Sequence, residues 1–266
     1  PKVVITSLAY NHELYVKDAL EGFVMQKTNF PIIAIVHEDC STDNTARIIE
    51  EYEKKYPDII FPIFEEENQY SKQNGTLSRI MRTAIAASGA KYVAMCEGDD
   101  YWTDPLKLQK QVDFLESHPE YGMCYAKAKF YYQESKKYGK YLFGNEYNSL
   151  TELLCNTYAI PTASIVYKRD FIDYNYYKII EKHPEWKMGD LPLSLYLASK
   201  SKLQMIDEPM VVYRILKEST SHFKSYDQYA SFINSAYSVK KEFAKLNNVW
   251  NTCKKCHHLN LRNELL

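Results

Sequence analysis

The chain has 266 residues, a formal net charge of −1 and an isoelectric point near 6.8. With this nearly neutral charge the protein has no overall positive potential to attract nucleic acid, so a phosphate-bearing ligand must bind at a local site. The six cysteines lack the dense spacing of a secreted disulfide scaffold, and no apolar run reaches the roughly 18 residues that a membrane-spanning helix needs. We therefore expect a cytoplasmic protein.

Short apolar runs alternate with amphipathic stretches over the first 125 residues, a pattern typical of βαβ units and a mainly parallel sheet. Strands are predicted at residues 3–8, 31–36, 59–64 and 92–96, and helices at residues 13–26, 43–56, 77–88 and 105–117. The predicted fold class is therefore α/β, with a Rossmann-like sheet flanked by helices.

The second half of the chain continues this pattern less regularly. Strands are predicted at residues 123–132, 163–167, 203–206 and 210–215, and helices near 149–152, at 190–199 and at 226–246. The lysine- and tyrosine-rich residues 134–141 predict a surface loop. Because residues 226–246 place their apolar side chains mostly on one helical face, we divide the chain into an α/β domain, 1–222, and a C-terminal helical extension, 223–266.

An acidic segment, "MCEGDDYW", follows the predicted fourth strand and contains Glu97, Asp99 and Asp100. Open parallel sheets leave a ligand crevice at the carboxyl ends of their strands, so these carboxylates are expected to face it. Mg²⁺ and Mn²⁺ take oxygen ligands, typically one or two protein carboxylates completed by substrate phosphates and water. The alternative is a polar turn whose aspartates cap a helix.

Two further motifs follow the first and second strands: "LAYNHE" at residues 8–13 and "VHEDCSTDNT" at residues 36–45. The first lacks the glycine-rich pattern of dinucleotide and P-loop sites, and its Tyr10 is either a platform for a nucleotide base or an ordinary tyrosine. In the motif at residues 36–45, Asp43 can cap the helix predicted at residues 43–56, whereas Asp39 lies too far upstream to be that cap. A carboxylate at Asp39 could accept a hydrogen bond from uracil N3–H.

These motifs in this order, together with "MGDLPLSLYLASKSKLQMIDEPMVVYR" at residues 188–214, resemble the bacterial family 2 glycosyltransferases of the GT-A fold. The resemblance covers roughly residues 2–222. It implies transfer of a sugar from a nucleotide sugar, expected to be UDP-linked, to an acceptor hydroxyl with inversion and with Mn²⁺ or Mg²⁺. It also implies an acceptor that is a glycan or lipid-linked glycan, in cell-surface polysaccharide or glycolipid assembly.

The resemblance also assigns roles by position. Asp99 is expected to bind the metal, and Asp190, which otherwise reads as a helix N-cap ahead of Pro192, is expected to be the general base. Asp100 and Trp102 are expected near the acceptor. Donor contacts are expected from Tyr10, Glu38, Asp39, Glu97 and Asp99.

The chain departs from the family pattern in three places. Glu38 and Glu97 stand where the family often has aspartates, which lengthens each side chain. The family's frequent histidine after the "YR" pair is replaced by Leu216, although His222 follows. A nucleotide-sugar binding protein without catalysis is the alternative function, since it could dispense with Asp190.

Other enzyme classes fit the motifs less well. Haloacid-dehalogenase-like phosphatases carry their paired aspartates after the first strand, whereas this acidic segment follows the fourth. A sugar nucleotidyltransferase would show a glycine-rich basic loop after the first strand, and "LAYNHE" lacks one.

The C-terminal tail carries two weaker signals. Cys253 and Cys256 form a single CxxC motif, which is poor evidence for zinc. Residues 238–266 are markedly basic, which suits either peripheral contact with an anionic membrane surface or a helix packed on the domain or on a second subunit in a homodimer.

Overall fold

The computed structural model describes residues 1–217 and 225–256. Their strands form one sheet: β1 (Val3–Ala9), β2 (Ile32–Glu38), β3 (Ile60–Phe64), β4 (Tyr92–Met95), β5 (Tyr101–Trp102), β6 (Tyr121–Tyr132), β7 (Lys137–Phe143), β8 (Val166–Lys168) and β9 (Lys202–Ile215). Helices flank it: α1 (Val16–Val24), α2 (Thr45–Lys55), α3 (Thr76–Ser88), α4 (Lys107–Ser117), α5 (Leu150–Cys155), α6 (Tyr174–Glu181), α7 (Asp190–Lys200) and α8 (Tyr226–Leu246).

The strand order is β3-β2-β1-β4-β8-β6-β9-β5, with β7 paired to the outer part of β6. The first four strands in this order are parallel, and β8 joins them to the rest of the sheet through antiparallel pairs. The carboxyl ends of β1, β2 and β4 therefore meet at one edge. The predicted α/β fold with a helix-flanked sheet is confirmed.

Hydrophobic cores lie on both faces of the sheet. Val3 and Ile5 of β1 face a cluster that includes α1, α2 and α4, whereas Val4 faces a cluster that includes α5, α7 and α8. All three side chains are fully buried, which explains the apolar run with which β1 begins. Because Val239 and Phe243 of α8 belong to the second cluster, the C-terminal helix shares its core with the sheet. The predicted boundary at residue 222 lies outside the described residues.

Two local predictions were wrong, and one helix was not predicted. The predicted loop at residues 134–141 contains most of β7, which pairs with β6, and alternation of tyrosine and lysine fits such an edge strand. The two strands predicted between residues 203 and 215 are one strand, β9, with a register shift beside Pro209. Helix α6 had no expected counterpart; Asp173 caps it by accepting from the amides of Asn175 and Tyr176.

No helix within the two described ranges is long and apolar enough to cross a membrane.

A buried lysine lies in the core where α4 begins. Lys107 is fully buried, and its Nζ has no hydrogen-bond partner and lies 4.1 Å from the centre of the Trp102 ring. Burial lowers the pKa of Lys107 to about 7, from an ordinary value of 10.5. The ring compensates only part of the lost hydration, so this amine destabilises the fold when it is charged.

We predict that Lys107→Met raises the free energy of unfolding by about 1–3 kcal/mol at pH 7, because methionine fills the space without a polar atom to desolvate. The unfolded lysine binds more protons than the folded one between pH 7 and about 10.5, so the stability of the unsubstituted protein rises across that window. The gain should therefore be largest at pH 7 and below.

Urea unfolding at several pH values measures this effect, and Lys54→Met, at an exposed position of α2, is the control with no expected gain. A loss of stability in Lys107→Met at pH 7 would show that the amine is stabilising.

Candidate active site

The acidic residues after β4 form a tight turn, residues 97–100, that packs against the end of β1. The amide of Gly98 donates to Leu8 O at 2.9 Å, and the amide of Asp100 donates to Glu97 O at 3.2 Å. This acidic turn is therefore fixed to the carboxyl end of the neighbouring parallel strand, where the sequence predicted a ligand crevice.

Glycine is required at the centre of the acidic turn. A Cβ on Gly98 would lie 2.9 Å from His12 Nδ1 and 3.0 Å from Leu8 O, closer than real side chains approach. The close approach is thus between two parts of the protein, the acidic turn and the loop after β1. It needs no ligand to explain it.

Asp190, far along the chain, reaches the same place. Burial raises the pKa of Glu97 to about 8, and the nearby charges of Asp99 and Asp190 add to this rise. Both Glu97 and Asp190 retain partial exposure. The structure therefore brings Asp190 close to Glu97 and Asp99, although about 90 residues of the sequence separate Asp190 from them.

Asp190 is the first helical residue of α7, and its N-cap is Gly189. One carboxylate oxygen accepts from Thr162 Oγ1 at 2.8 Å and the other accepts from the amide of Leu191 at 2.8 Å. Burial raises the pKa of Asp190, and these hydrogen bonds limit the rise. A carboxylate held in one orientation with a raised pKa suits a proton acceptor.

The loops after β1 and β2 are joined by hydrogen bonds. Asn11 donates its amide to Ser41 Oγ at 2.9 Å and accepts from the amide of Thr42 at 2.8 Å. The amide of His12 donates to Thr45 Oγ1 at 2.7 Å. Tyr10, between these contacts and β1, keeps 44% of its surface exposed. The ring is thus presented at the sheet edge by a fixed loop.

The two acidic residues at the end of β2 are occupied by protein contacts that sequence analysis missed. Asp39 is 4% exposed, and its two oxygens accept from the amides of Gln69 at 2.7 Å and Tyr70 at 3.0 Å. Glu38 is 3% exposed and accepts from the amide of Ser41 at 2.8 Å. The Glu38 carboxylate thus bonds within its own loop, and the donor contact expected of it stays a prediction.

The two residues expected near an acceptor lie in the interior. Trp102 is 2% exposed, donates from Nε1 to Ala163 O at 2.7 Å and packs edge to face on Phe23. Asp100 is 3% exposed and accepts from the amide of Arg214 at 2.8 Å. Both side chains are therefore occupied by protein contacts, and their expected place near the acceptor stays a prediction.

A cleft of about 1150 Å³ opens beside the acidic turn. Thr6, Leu8 and Glu97 lie on its floor, and α3, α6 and the start of α7 form its walls. Gln228 and Phe232 of α8 also border it, so the helix expected to form a separate extension contributes to the cleft. A cleft of this size holds a nucleotide-sized ligand.

Within the described ranges, no group of three or more histidine, cysteine, aspartate or glutamate side chains is arranged to hold a metal ion. The acidic turn nevertheless fits a cation that takes most of its ligands from a diphosphate and water. Asp99 raises the pKa of both Glu97 and Asp100 by its charge, and a cation at Asp99 would relieve that repulsion. One protein carboxylate is enough for such a site.

We predict that Gly98→Ala lowers the free energy of unfolding by about 1–3 kcal/mol, because the added methyl forces the acidic turn away from Leu8 and His12. Thermal unfolding measures the loss. Gly189→Ala is the matched control, since a Cβ there meets no atom within 4 Å. Equal stability of the two variants would contradict the packing described here.

Comparison with known proteins places the chain in a family. The profile described as "Glycosyl transferase family 2" matches residues 4–188. An uncharacterized protein of Mycobacterium tuberculosis is 36% identical over 216 residues, which cover 79% of this chain and 58% of that protein. The putative glycosyltransferase EpsE of Bacillus subtilis is 33% identical over 122 residues, 46% of this chain and 41% of EpsE. The chain thus spans only about half the length of these relatives.

Solved structures show the same fold. TarS of S. aureus in complex with UDP has a TM-score of 0.57 at 14% identity, covering 91% of this chain and 69% of that one. The mannosyltransferase PcManGT of Pyrobaculum calidifontis, in complex with GDP-Man and Mn²⁺, has a TM-score of 0.54 at 12% identity, covering 96% and 74%. With the profile match over most of its length, the chain belongs to the family 2 glycosyltransferases and has their GT-A fold.

Proposed function

We propose that this chain transfers a sugar from a UDP-linked donor to a hydroxyl of a glycan or lipid-linked glycan, with inversion at the anomeric carbon. The observation that carries the proposal is the convergence of Asp99 and Asp190 on Glu97, the carboxylate of the three that lines the cleft. One carboxylate can serve the donor diphosphate while another, on a different element, serves the acceptor.

The donor base is proposed to lie on Tyr10, with uracil N3–H donating to Asp39. The Asp39 oxygens already accept from two amides, but each carboxylate oxygen has a second lone pair. The same amides hold the carboxylate in place, which lowers the cost of orienting it toward a base. TarS has been solved with UDP and with UDP-GlcNAc, which supports the proposal of a uridine donor, whereas PcManGT of the same fold has been solved with GDP-Man.

Asp99 is proposed to hold Mn²⁺ or Mg²⁺ together with the donor diphosphate. When bound, the cation supplies charge neutralisation for the leaving nucleoside diphosphate. Glu97 lies beside Asp99 and is proposed to support the donor ribose or a water at the metal. Its raised pKa, about 8, should fall when a cation reduces the local negative charge.

Asp190 is proposed to remove the proton of the acceptor hydroxyl. The acceptor oxygen then forms a bond to the anomeric carbon as the bond from that carbon to the diphosphate oxygen breaks. A single displacement of this kind inverts the anomeric configuration. Thr162 and the Leu191 amide hold the carboxylate in position, and partial burial increases its basicity.

The acceptor class rests on relatives. EpsE and the putative teichuronic acid biosynthesis glycosyltransferase TuaG of Bacillus subtilis match parts of this chain at 33% and 30% identity. The chain is therefore related to enzymes of cell-wall polysaccharide biosynthesis. A role in assembling such a polymer or its lipid-linked precursor is the corresponding proposal here.

We predict that Asp99→Asn weakens binding of UDP in the presence of Mn²⁺ at least tenfold, because the substitution removes the charge that holds the cation. Isothermal titration calorimetry with UDP, with and without Mn²⁺, measures the effect. Asp170→Asn is the control, since its carboxylate is on the surface. If EDTA leaves UDP affinity and turnover unchanged in the unsubstituted protein, the metal role is wrong.

We predict that Asp190→Asn keeps UDP affinity within about twofold and slows sugar transfer by about 10²–10⁴-fold, the usual range for a lost acid–base group. Release of UDP in the presence of candidate glycan and lipid-linked acceptors measures turnover. An Asp190→Asn variant with full activity would refute the base assignment. An unsubstituted protein that binds UDP-sugars but never turns them over would favour a binding protein instead.

A further inference from the structure

Arg214, near the end of β9, makes contacts with several separate elements around the acidic turn. Its side chain is only 5% exposed. The guanidinium donates from Nε to the main-chain oxygen of Asp99 at 2.7 Å, from one terminal nitrogen to Gln133 Oε1 at 2.8 Å and from the other to Asp18 Oδ2 at 2.7 Å. Each of the three guanidinium nitrogens therefore donates to a protein acceptor.

The main chain of the same residue adds a second hold on the acidic turn. The amide of Arg214 donates to Asp100 Oδ1 at 2.8 Å, and this carboxylate is buried. Arg214 thus donates hydrogen bonds to two consecutive residues, to the carbonyl oxygen of Asp99 and to the side-chain carboxylate of Asp100. Two contacts at adjacent residues restrict the rotation of the turn as well as its position.

Aromatic rings enclose the guanidinium. Its central carbon lies 5.1 Å from the ring centre of Tyr15, 5.0 Å from that of Tyr101 and 5.6 Å from that of Tyr131. These rings come from the loop before α1, from β5 and from β6. They keep the side chain in one conformation and add cation–π attraction in a place sheltered from water.

We propose that Arg214 is a positioning residue, which orients the acidic turn so that the Asp99 carboxylate faces the donor diphosphate and its cation. This inference rests on the proposed function. The Arg214 side chain is enclosed by protein, and its guanidinium bonds the carbonyl of Asp99 instead of its carboxylate, so Arg214 does not occupy that carboxylate. The residue therefore acts through Asp99 without touching the substrate.

A lysine cannot replace this arrangement. An ammonium group at the end of a flexible chain is a single point of donation, whereas the three acceptors here lie in the different directions of a planar fork. Arg214→Lys should keep the charge and the contact of the main-chain amide with Asp100. It should lose the simultaneous contacts with Asp99, Gln133 and Asp18.

The test compares Arg214→Lys with Leu115→Ala, which opens a cavity in the core under α4 and serves as a control for general loss of stability. Hydrogen–deuterium exchange of the ligand-free proteins is read in peptides covering residues 97–102. We expect exchange there to be at least tenfold faster in Arg214→Lys and unchanged in Leu115→Ala. Equal exchange in the two variants overturns the proposal.

Ligand binding supplies the second measurement. UDP with Mn²⁺ should bind Arg214→Lys at least tenfold more weakly than the unsubstituted protein, whereas uridine, which has no phosphates, should bind within about twofold. An unchanged affinity for UDP with Mn²⁺ overturns the proposal even if the turn is looser. If the unsubstituted protein does not bind UDP with Mn²⁺, the proposed function fails, and the exchange measurement still decides whether Arg214 holds the turn.

A double variant covers the case in which Arg214→Lys does not fold. Asp18→Ala with Gln133→Leu removes two acceptors of the guanidinium and leaves its bond to Asp99. We expect a two- to fivefold rise in exchange at residues 97–102 and a matching loss of UDP affinity with Mn²⁺. No change in either quantity overturns the proposal.

Discussion

The candidate site depends on the packing of the acidic turn against the end of β1. Gly98 permits this contact, because any larger residue would meet His12 and Leu8. The result is a concentration of carboxylates at the edge where parallel strands end, and burial, together with the charge of Asp99, raises the pKa of Glu97. A cluster of carboxylates with a raised pKa is a candidate site for binding a cation or a proton.

The rest of the chain brings a second chemical group to that turn. Helices α1 and α7 pack on opposite faces of the sheet. Asp190, the first residue of α7, lies near Glu97. Strand β9 carries Arg214 to the far side of the turn. The N-terminal parallel strands thus supply the donor side of the proposed site, and the C-terminal half supplies both the proposed base and the support for the turn.

Sequence analysis predicted the elements that have strong periodicity and the motifs at strand ends. It predicted the parallel strands and the helices between them, because a strand buried on both faces has an uninterrupted apolar run. It missed β7, whose exposed tyrosines and lysines resemble a loop, and it divided β9 at Pro209, where the register shifts. Local patterns carry no information about such pairings.

The site was predicted less completely than the fold. The positions of Tyr10, Asp39, Glu97, Asp99 and Asp190 at or near the ends of elements could be inferred from the motifs. The motifs did not reveal three features: the burial of Asp100 and Trp102, the amide contacts of Asp39, and the several contacts of Arg214. The partners in these contacts lie between 30 and 196 positions away in the chain. Residue type alone does not distinguish a carboxylate that binds a ligand from one that binds the main chain.

The central claim, that Asp99 and Asp190 serve one reaction from opposite sides, is tested most directly by a crystal structure of the protein with UDP and Mn²⁺. The anomalous signal of manganese gives the cation position independently of the rest of the density. We expect one peak about 2.1–2.3 Å from an Asp99 carboxylate oxygen, bridging to the diphosphate, with the diphosphate directed toward Asp190. Bound UDP with no manganese peak at Asp99, or with its diphosphate directed away from Asp190, would contradict the account.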